Sequence, residues 1–394
     1  MKKLAALILL SFIGISLAGE LDELIKFALE NNPRVKSFDN IKNSLSYREN
    51  FLRSLPNPRL TFALNNLDTE HYFPTEKNPM SSFGLYLTQK YVLPVKRERE
   101  AKIASERQVE VLIKKERYEK ELVRNIKLLY WDFSYSHEME RIIRGIEQEI
   151  HSLIEITEER YRYGKALLSD LLLLKVELLK VRERLADAER LRRTSLERIY
   201  ALAGGRLELN GGELKVLDFP ENFDQGKNVE VKLAKRELEV IKREIDRAGV
   251  EHYPDLFLSA GYAIRPNIPN LITFSVGLTL PVWKGKREDM LVLEKKEIYN
   301  SKLLELEDVR LKVSGEFEAL KESYRITSQI LSTVEEEIEE KKKEIEALLI
   351  AYEYEKTDIR EILRAYRLLW SLEFDRAKLL KELNQIVAKV EALQ

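Results

Sequence analysis

The sequence predicts a mainly helical chain with a small β part of the kind that spans a membrane. Three observations support this fold class. Long stretches without proline carry apolar residues at helical spacing, and four stretches of about ten residues alternate apolar with other side chains. The second half of the chain also repeats the order of the first. A duplicated helix, hairpin, long helix, helix arrangement follows.

The composition excludes several classes of function. The 394 residues include 66 Lys and Arg against 67 Asp and Glu, so a net charge of −1 offers no bulk attraction to nucleic acid. The absence of cysteine excludes disulfides, thiol nucleophiles, cysteine-ligated zinc and lipid attachment at a cysteine. A mean hydropathy of −0.34, with only one long apolar run, argues against a bundle of membrane-spanning helices.

Residues 1–18 predict a cleavable secretory signal peptide. Lys2 and Lys3 precede an apolar run that ends at Leu17, and Ser16 and Ala18 provide the small residues of a cleavage site. The run of about 14 residues is shorter than the roughly 20 that a spanning helix needs. We therefore expect an exported mature chain that is not lipidated.

Each half of the mature chain contains a long helix followed by a shorter one. The stretch 97–163 has no proline and predicts a helix of about 65 residues, roughly 100 Å long. Its apolar residues recur in steps of three and four, which is typical of a coiled-coil seam. The other predicted helices cover 21–53, 169–203, 228–249, 287–353 and 358–394.

Four segments have a period of two instead of 3.6. They are predicted as strands at about 58–67, 82–93, 254–264 and 271–281, and in the first, Leu60, Phe62 and Leu64 alternate with other residues. Each has about the length of a transmembrane β-strand. The alternative is a small soluble sheet that caps a helical domain.

Three pairs of motifs support the duplication. Pro58-Arg-Leu matches Pro254-Asp-Leu, Leu93-Pro-Val matches Leu280-Pro-Val, and Tyr161 matches Tyr352, at offsets of 196, 187 and 191 residues. We therefore expect a first repeat over 19–205, a linker over 206–227 and a second repeat over 228–394.

Strands in lipid would require more than one copy of this chain. Four strands cannot close into a barrel, and an open edge leaves backbone groups unsatisfied in hydrocarbon. Two, three or four copies would give about 8, 12 or 16 strands, and the pattern alone does not choose among them. Long helices leading out of the hairpins would extend the wall as a tube, which indicates conduction and not catalysis. A protein of another class, an exported coiled-coil scaffold or tether with a soluble β cap, is the rival interpretation.

The motifs together resemble the TolC family of outer-membrane efflux proteins over essentially the whole mature chain. The resemblance rests on Leu29-Glu-Asn-Asn-Pro33, Leu55-Pro-Asn-Pro58, Glu159-Arg-Tyr-Arg-Tyr-Gly164 with Asp170-Leu-Leu172, and Val276-Gly-Leu-Thr-Leu-Pro281 with Gly285-Lys-Arg287. It implies a homotrimer with a 12-stranded β-barrel in the outer membrane, continued by a periplasmic α-helical barrel. It further implies docking to a periplasmic adaptor (membrane fusion protein) and an inner-membrane pump. A duct for protein secretion of type I would share this architecture.

In this family the two helix-to-helix turns form the periplasmic entrance, which inward-facing acids narrow. Matching by residue assigns Asp170 and the tip glycine Gly164 to the first turn, and Glu361 with the nearby Asp358 to the second. A ring of such carboxylates would favour cations. Alternatively, these acids stabilise the helices that begin there.

The second turn departs from the family pattern. Arg364 stands where a second acid is expected, Glu355 stands where a glycine is expected, and Arg360 adds a positive charge. An acid paired with an arginine is therefore the expected closure. Tyr161 and Tyr352, which precede the turns, would either pack in the core or hydrogen-bond across the closed tip.

The remaining sequence signals do not indicate chemistry. The four histidines lack neighbouring ligands, so we expect no metal site, and no phosphate loop or nucleophile motif occurs. We expect no cofactor, no nucleic-acid partner and no catalysis.

Overall fold

The computed structural model describes residues 17–394, and the predicted signal peptide lies almost entirely outside the described residues. Within 17–394 the chain forms seven α-helices and four strands, with two short 3₁₀ turns. The elements are α1 (Leu17–Asn31), α2 (Pro33–Arg53), β1 (Arg59–Asn65), β2 (Ser82–Tyr91), α3 (Pro94–Arg162), α4 (Leu168–Ala203), α5 (Val229–Ala248), β3 (Leu256–Ile264), β4 (Leu271–Leu278), α6 (Glu288–Glu353) and α7 (Ile359–Leu393). The predicted fold class is confirmed in these elements.

The opening helix differs from its prediction. One helix was expected over 21–53, but the chain forms α1 and α2, which meet at Asn32 and Pro33. Proline has no N–H and is favoured in the first turn of a helix. The Asn32 side chain accepts hydrogen bonds from the backbone N–H groups of Arg34 at 2.8 Å and Val35 at 3.2 Å, so it caps α2.

The chain divides into two compact units, and each draws segments from both halves of the sequence. Among the described residues, one unit comprises 17–36, 116–228 and 312–394, and the other comprises 37–115 and 229–311. The first is helical and contains both turns between long helices. The second contains the whole sheet together with α5. No helix in 17–394 is apolar over enough of its length to cross a membrane.

The helical unit is built on the predicted seam. Ile143, Ile146 and Ile150 of α3 pack with Leu174 of α4 and Ile362 of α7, all nearly inaccessible to solvent. This row on α3 advances in steps of three and four, so one face of the helix is continuously apolar. Burial of such side chains contributes roughly 1.5–3 kcal/mol each. The seam therefore holds the helix pairs in register up to their turns.

The segment 206–227 is hydrogen-bonded to the helices through its backbone. Backbone N–H groups of Asn210 and Gly211 donate to the Glu20 carboxylate, and that of Gly212 donates to Ser134 Oγ. Further along, the N–H of Leu217 donates to Asn384 Oδ1 at 3.2 Å. Side chains of three helices thus satisfy a backbone that has almost no secondary structure of its own.

The four strands form one antiparallel sheet in the order β1-β2-β3-β4. Directly opposed residues point to the same face, so the register assigns each side chain to a face. The first face is apolar and exposed; Phe62 and Phe274, for example, are 80% and 79% exposed. This face carries Leu60, Phe62, Leu64, Phe83, Leu85, Leu87, Leu258, Ala260, Tyr262, Ile264, Ile272, Phe274, Val276 and Leu278.

The second face of the sheet carries mostly small and polar residues, together with Phe257 and Leu271. Thr88 Oγ1 and Ser259 Oγ lie 3.1 Å apart there, and Asn65 Nδ2 donates to the Tyr86 hydroxyl at 2.9 Å. The Tyr86 ring lies across Gly84 and Gly261. Neither position has room for a side chain, because a Cβ there would lie only 2.4 Å from the ring. Alternation of this kind is what a sheet between lipid and a water-filled lumen requires.

Substitutions at two glycines test whether the end of α4 requires a glycine. Gly204 ends α4 with φ +76°, and a Cβ there would lie 2.8 Å from the Asn31 carbonyl oxygen. We expect Gly204→Ala to lower stability by at least about 1–2 kcal/mol. Gly145, inside α3 with nothing near its Cβ position, is the matched control, and Gly145→Ala should raise stability by roughly 0.5–1 kcal/mol. The measurement is the thermal midpoint by far-UV circular dichroism. Equal midpoints for both variants would show that the end of α4 does not depend on a glycine.

Candidate functional site: the two helix-to-helix turns

The first turn joins α3 to α4 through a left-handed glycine. Gly164 has φ +72°, its N–H donates to the Tyr161 carbonyl at 3.0 Å, and the N–H of Lys165 donates to the Arg160 carbonyl at 2.8 Å. Glycine adopts this conformation without steric cost. The predicted tip glycine therefore terminates α3.

The second turn has the same backbone with a different residue. Glu355, 191 positions after Gly164, has φ +60°, and its N–H donates to the Tyr352 carbonyl at 3.1 Å. The N–H of Lys356 donates to the Ala351 carbonyl at 2.9 Å. A side chain in the left-handed region costs roughly 1–2 kcal/mol. Glu355, which stands where a glycine is expected, is thus a strained residue at the second turn.

The Glu355 carboxylate faces the first turn. Its Oε1 lies 2.8 Å from Lys165 Nζ and 4.0 Å from Arg160 Nη2. The hydrogen bond from Lys165, reinforced by both positive charges, lowers the pKa of Glu355. The pair therefore persists until the pH falls through that lowered pKa.

Arg160 contacts the second turn at two further points. Its Nη1 donates to the Tyr352 carbonyl at 3.0 Å, and its guanidinium lies 4.3 Å from the centre of the Tyr352 ring. Tyr352 is 6% exposed, so it packs in the core. Tyr161, in contrast, is 43% exposed.

Asp170 contacts both its own helix and the second turn. One carboxylate oxygen accepts from the Leu167 backbone N–H at 3.3 Å, which caps α4. The other lies 3.4 Å from Arg360 Nη2 at the start of α7. Asp170 is 8% exposed, so its charge is compensated mainly by the helix terminus and by this arginine. The expected pairing of an acid with an arginine is present between the two turns.

The other predicted residues have local partners. Asp358 Oδ1 accepts from the backbone N–H groups of Arg360 at 2.9 Å and Glu361 at 3.0 Å, so Asp358 is the N-cap of α7. Glu361 Oε1 lies 3.1 Å from Arg364 Nη1 one helical turn away, and both side chains are exposed. The structure therefore joins Asp170 with Arg360 and leaves Glu361 with Arg364 on the outside of their helix.

Two residues of this cluster were not singled out from the sequence. Arg160 and Lys165 supply the cations that face Glu355. Arg160 lies within the motif that carries Tyr161 and Gly164, and Lys165 follows it directly. The glutamate at 355, where a glycine is expected, was the signal that a cation should lie nearby. Within 17–394 no three His, Cys, Asp or Glu side chains gather as a metal ion would need.

Several solved structures share this fold, and their descriptions name outer membrane proteins and channels. The chain superposes on CusC, described in connection with transmembrane channel formation, with a TM-score of 0.80 and 13% identity, over 97% of this chain and 95% of that one. The outer membrane protein VceC of Vibrio cholerae gives 0.74 and 14%, over 95% of each chain. The open state of the Neisseria gonorrhoeae MtrE outer membrane channel gives 0.75 and 12%, over 95% and 88%. These likenesses establish the fold.

A second comparison concerns the sequence. Residues 24–205 match the family model described as outer membrane efflux protein. The predicted resemblance to the TolC family is confirmed. The family consists of efflux ducts and is not an enzyme family. A search of curated proteins found no match.

The Asp358 cap gives a prediction for the second turn. Asp358→Ala removes two hydrogen bonds to backbone N–H groups and should lower stability by about 1 kcal/mol. Asp358→Asn keeps an acceptor at the same place and should cost much less. The thermal midpoint in detergent measures both, and an alanine variant as stable as the asparagine variant would show that the cap is unimportant.

Proposed function

We propose that the mature chain is the outer-membrane exit duct of a tripartite efflux pump. Three copies form it, and a periplasmic adaptor and an inner-membrane pump dock to its periplasmic end. It passes small molecules or metal ions to the exterior, draws its energy from the pump and performs no catalysis. The signal peptide 1–18 directs export, and the helices extend into the periplasm.

The two-faced sheet with two open edges is the observation that carries this proposal. β1 and β4 each have a hydrogen-bonded neighbour on one side only, and in hydrocarbon each unpaired backbone group costs several kcal/mol. Pairing β4 of one copy with β1 of the next removes both edges. Three copies supply about 12 strands, which is enough to enclose a water-filled lumen behind the polar face.

The rival scaffold fits the sheet less well. A soluble cap would bury its apolar face, yet this face carries aromatic side chains as exposed as Phe62 and Phe274. An apolar surface of this extent marks a site that meets lipid or another chain. Protein secretion would use the same duct, and nothing in the described residues favours it over the efflux of small molecules.

Insertion into planar bilayers tests the function. Purified mature protein should give discrete conductance steps, because each closed barrel adds one aqueous path. A chain with its second face disrupted, Gly261→Val, should give fewer steps, because Tyr86 cannot then lie across the sheet. A preparation that binds detergent but never conducts, even with the substitution Asp170→Asn at the entrance, would contradict the duct.

We also propose that the turn cluster closes the periplasmic entrance. Asp170 with Arg360, and Glu355 with Lys165 and Arg160, hold the first turn against the second within each copy. Opening requires the turns to part, and these pairs then separate. The Glu361 and Arg364 pair lies within one helix and opposes no such movement.

Asp170→Asn tests the entrance. The amide still caps α4 but loses the charge that faces Arg360, a partly exposed pair worth roughly 1 kcal/mol. The opening equilibrium of each copy should therefore shift about fivefold towards open, and bilayer recordings should show a higher open fraction. The matched control is Glu361→Gln, which should leave the open fraction unchanged. Equal behaviour of the two variants would remove Asp170 from the entrance.

A further inference from the structure

Exposed apolar side chains form a row on α2 and another on α6. On α2, Tyr47 and Phe51 are 75% and 67% exposed and lie four residues apart, on one face of the helix. On α6, Met290 and Leu293 are 51% and 49% exposed, and Glu297 lies one turn further along that face. Single exposed apolar residues are ordinary, but two such rows with a carboxylate indicate a contact surface.

The internal duplication indicates which helix contacts each of these rows. Helices α2 and α5 correspond at an offset of 196 residues, because Asn32 and Asn228 precede them and Pro58 and Pro254 follow them. Helices α3 and α6 correspond at an offset of 191, which also relates the two left-handed turn residues. The longer connection between β4 and α6 accounts for the change from the offset of 187 seen at the Leu-Pro-Val motifs.

Contacts already present in the chain support these offsets. Lys115 of α3 lies 3.0 Å from Asp39 of α2. Leu306, which is 191 residues after Lys115, packs on α5 against Val231 and Leu238. Val231 and Leu238 lie on either side of position 235, which corresponds to Asp39 at the offset of 196 residues. The α5–α6 contact therefore repeats the α2–α3 contact.

Helix α5 has a second neighbour, α3, and this contact is ionic. Arg243 Nε lies 3.3 Å from Glu106 Oε1, and Arg236 binds the same carboxylate. Arg247 Nε lies 2.8 Å from Glu100 Oε2. Because α5 corresponds to α2 and α3 corresponds to α6, the equivalent contact would join α2 to α6. Within one chain this contact is not made, since the rows on α2 and α6 are exposed.

We propose that α2 of one copy packs against α6 of the next copy through these rows. By the two offsets, Glu297 takes the place of Glu106, and Tyr47 and Phe51 take the places of Arg243 and Arg247. The Tyr47 hydroxyl then donates to the Glu297 carboxylate, and Phe51 packs by Met290 and Leu293. The contact between copies is thus aromatic where the contact within a copy is ionic. This surface rests on the trimer of the proposed function.

The absence of cysteine makes the contact directly testable. In the full mature chain in detergent, Tyr47→Cys with Glu297→Cys is treated with a short bis-methanethiosulfonate reagent and run on denaturing gels. Each copy presents one α2 and one α6, so we expect covalent dimers and trimers, a ladder that ends at three chains, and collapse to one chain on reduction. Lys42→Cys with Glu297→Cys, whose first cysteine lies on the opposite side of α2, should give no ladder.

A second pair controls for folding and reagent access. Glu106→Cys with Arg243→Cys occupies the equivalent contact within the chain and should crosslink without a gain in mass. If particles contain three chains but the 47–297 pair does not crosslink, the proposed surface is wrong and the trimer stands. If particles contain one chain, both proposals are wrong.

Substitution without cysteine gives an independent measurement. Phe51→Asp places a charge in the aromatic contact, and dilution should then release single chains at a concentration where the parent remains at three. Lys42→Asp, on the opposite side of the same helix, should leave the particle at three chains. Equal resistance of the two variants to dilution would overturn the proposal.

Discussion

The requirement that every backbone hydrogen-bonding group in hydrocarbon find a partner governs this protein. A helix meets it alone, but a four-stranded sheet with an apolar face does not, because β1 and β4 keep one free edge each. In the proposed duct, other copies of the chain supply the missing neighbours.

The internal duplication makes the two halves of the chain structurally similar. At several equivalent positions, however, the two halves carry different residues. Gly164 of the first turn corresponds to Glu355 of the second turn. Glu355 has a strained left-handed backbone, and its carboxylate faces Lys165. Along the helices, the ionic contact of α5 with α3 corresponds to exposed aromatic residues on α2. Aromatic residues are enriched, and charged residues depleted, at the core of interfaces between chains.

Much of this could be predicted from the sequence because period and proline placement are local signals. The alternation predicted the four strands β1 to β4, and the seam on α3 lies in the core. Which residues of neighbouring strands share a face followed only from the register. The break at Pro33 was missed, although proline at a helix start explains it. The partner of Asp170 could only be named as an arginine, and Arg160 was not identified, because contacts between residues almost 200 positions apart depend on how the helices pack. The repeat boundaries, the signal peptide and the role of the entrance residues stay predictions.

The number of chains in the particle tests the closed barrel most directly. Light scattering of the purified mature chain in detergent, with the micelle contribution subtracted, measures the protein mass. We expect three chains in a detergent-binding particle, which closes the sheet at 12 strands. A monomer or dimer that is stable without detergent would mean that the strands never meet lipid, and it would contradict the duct.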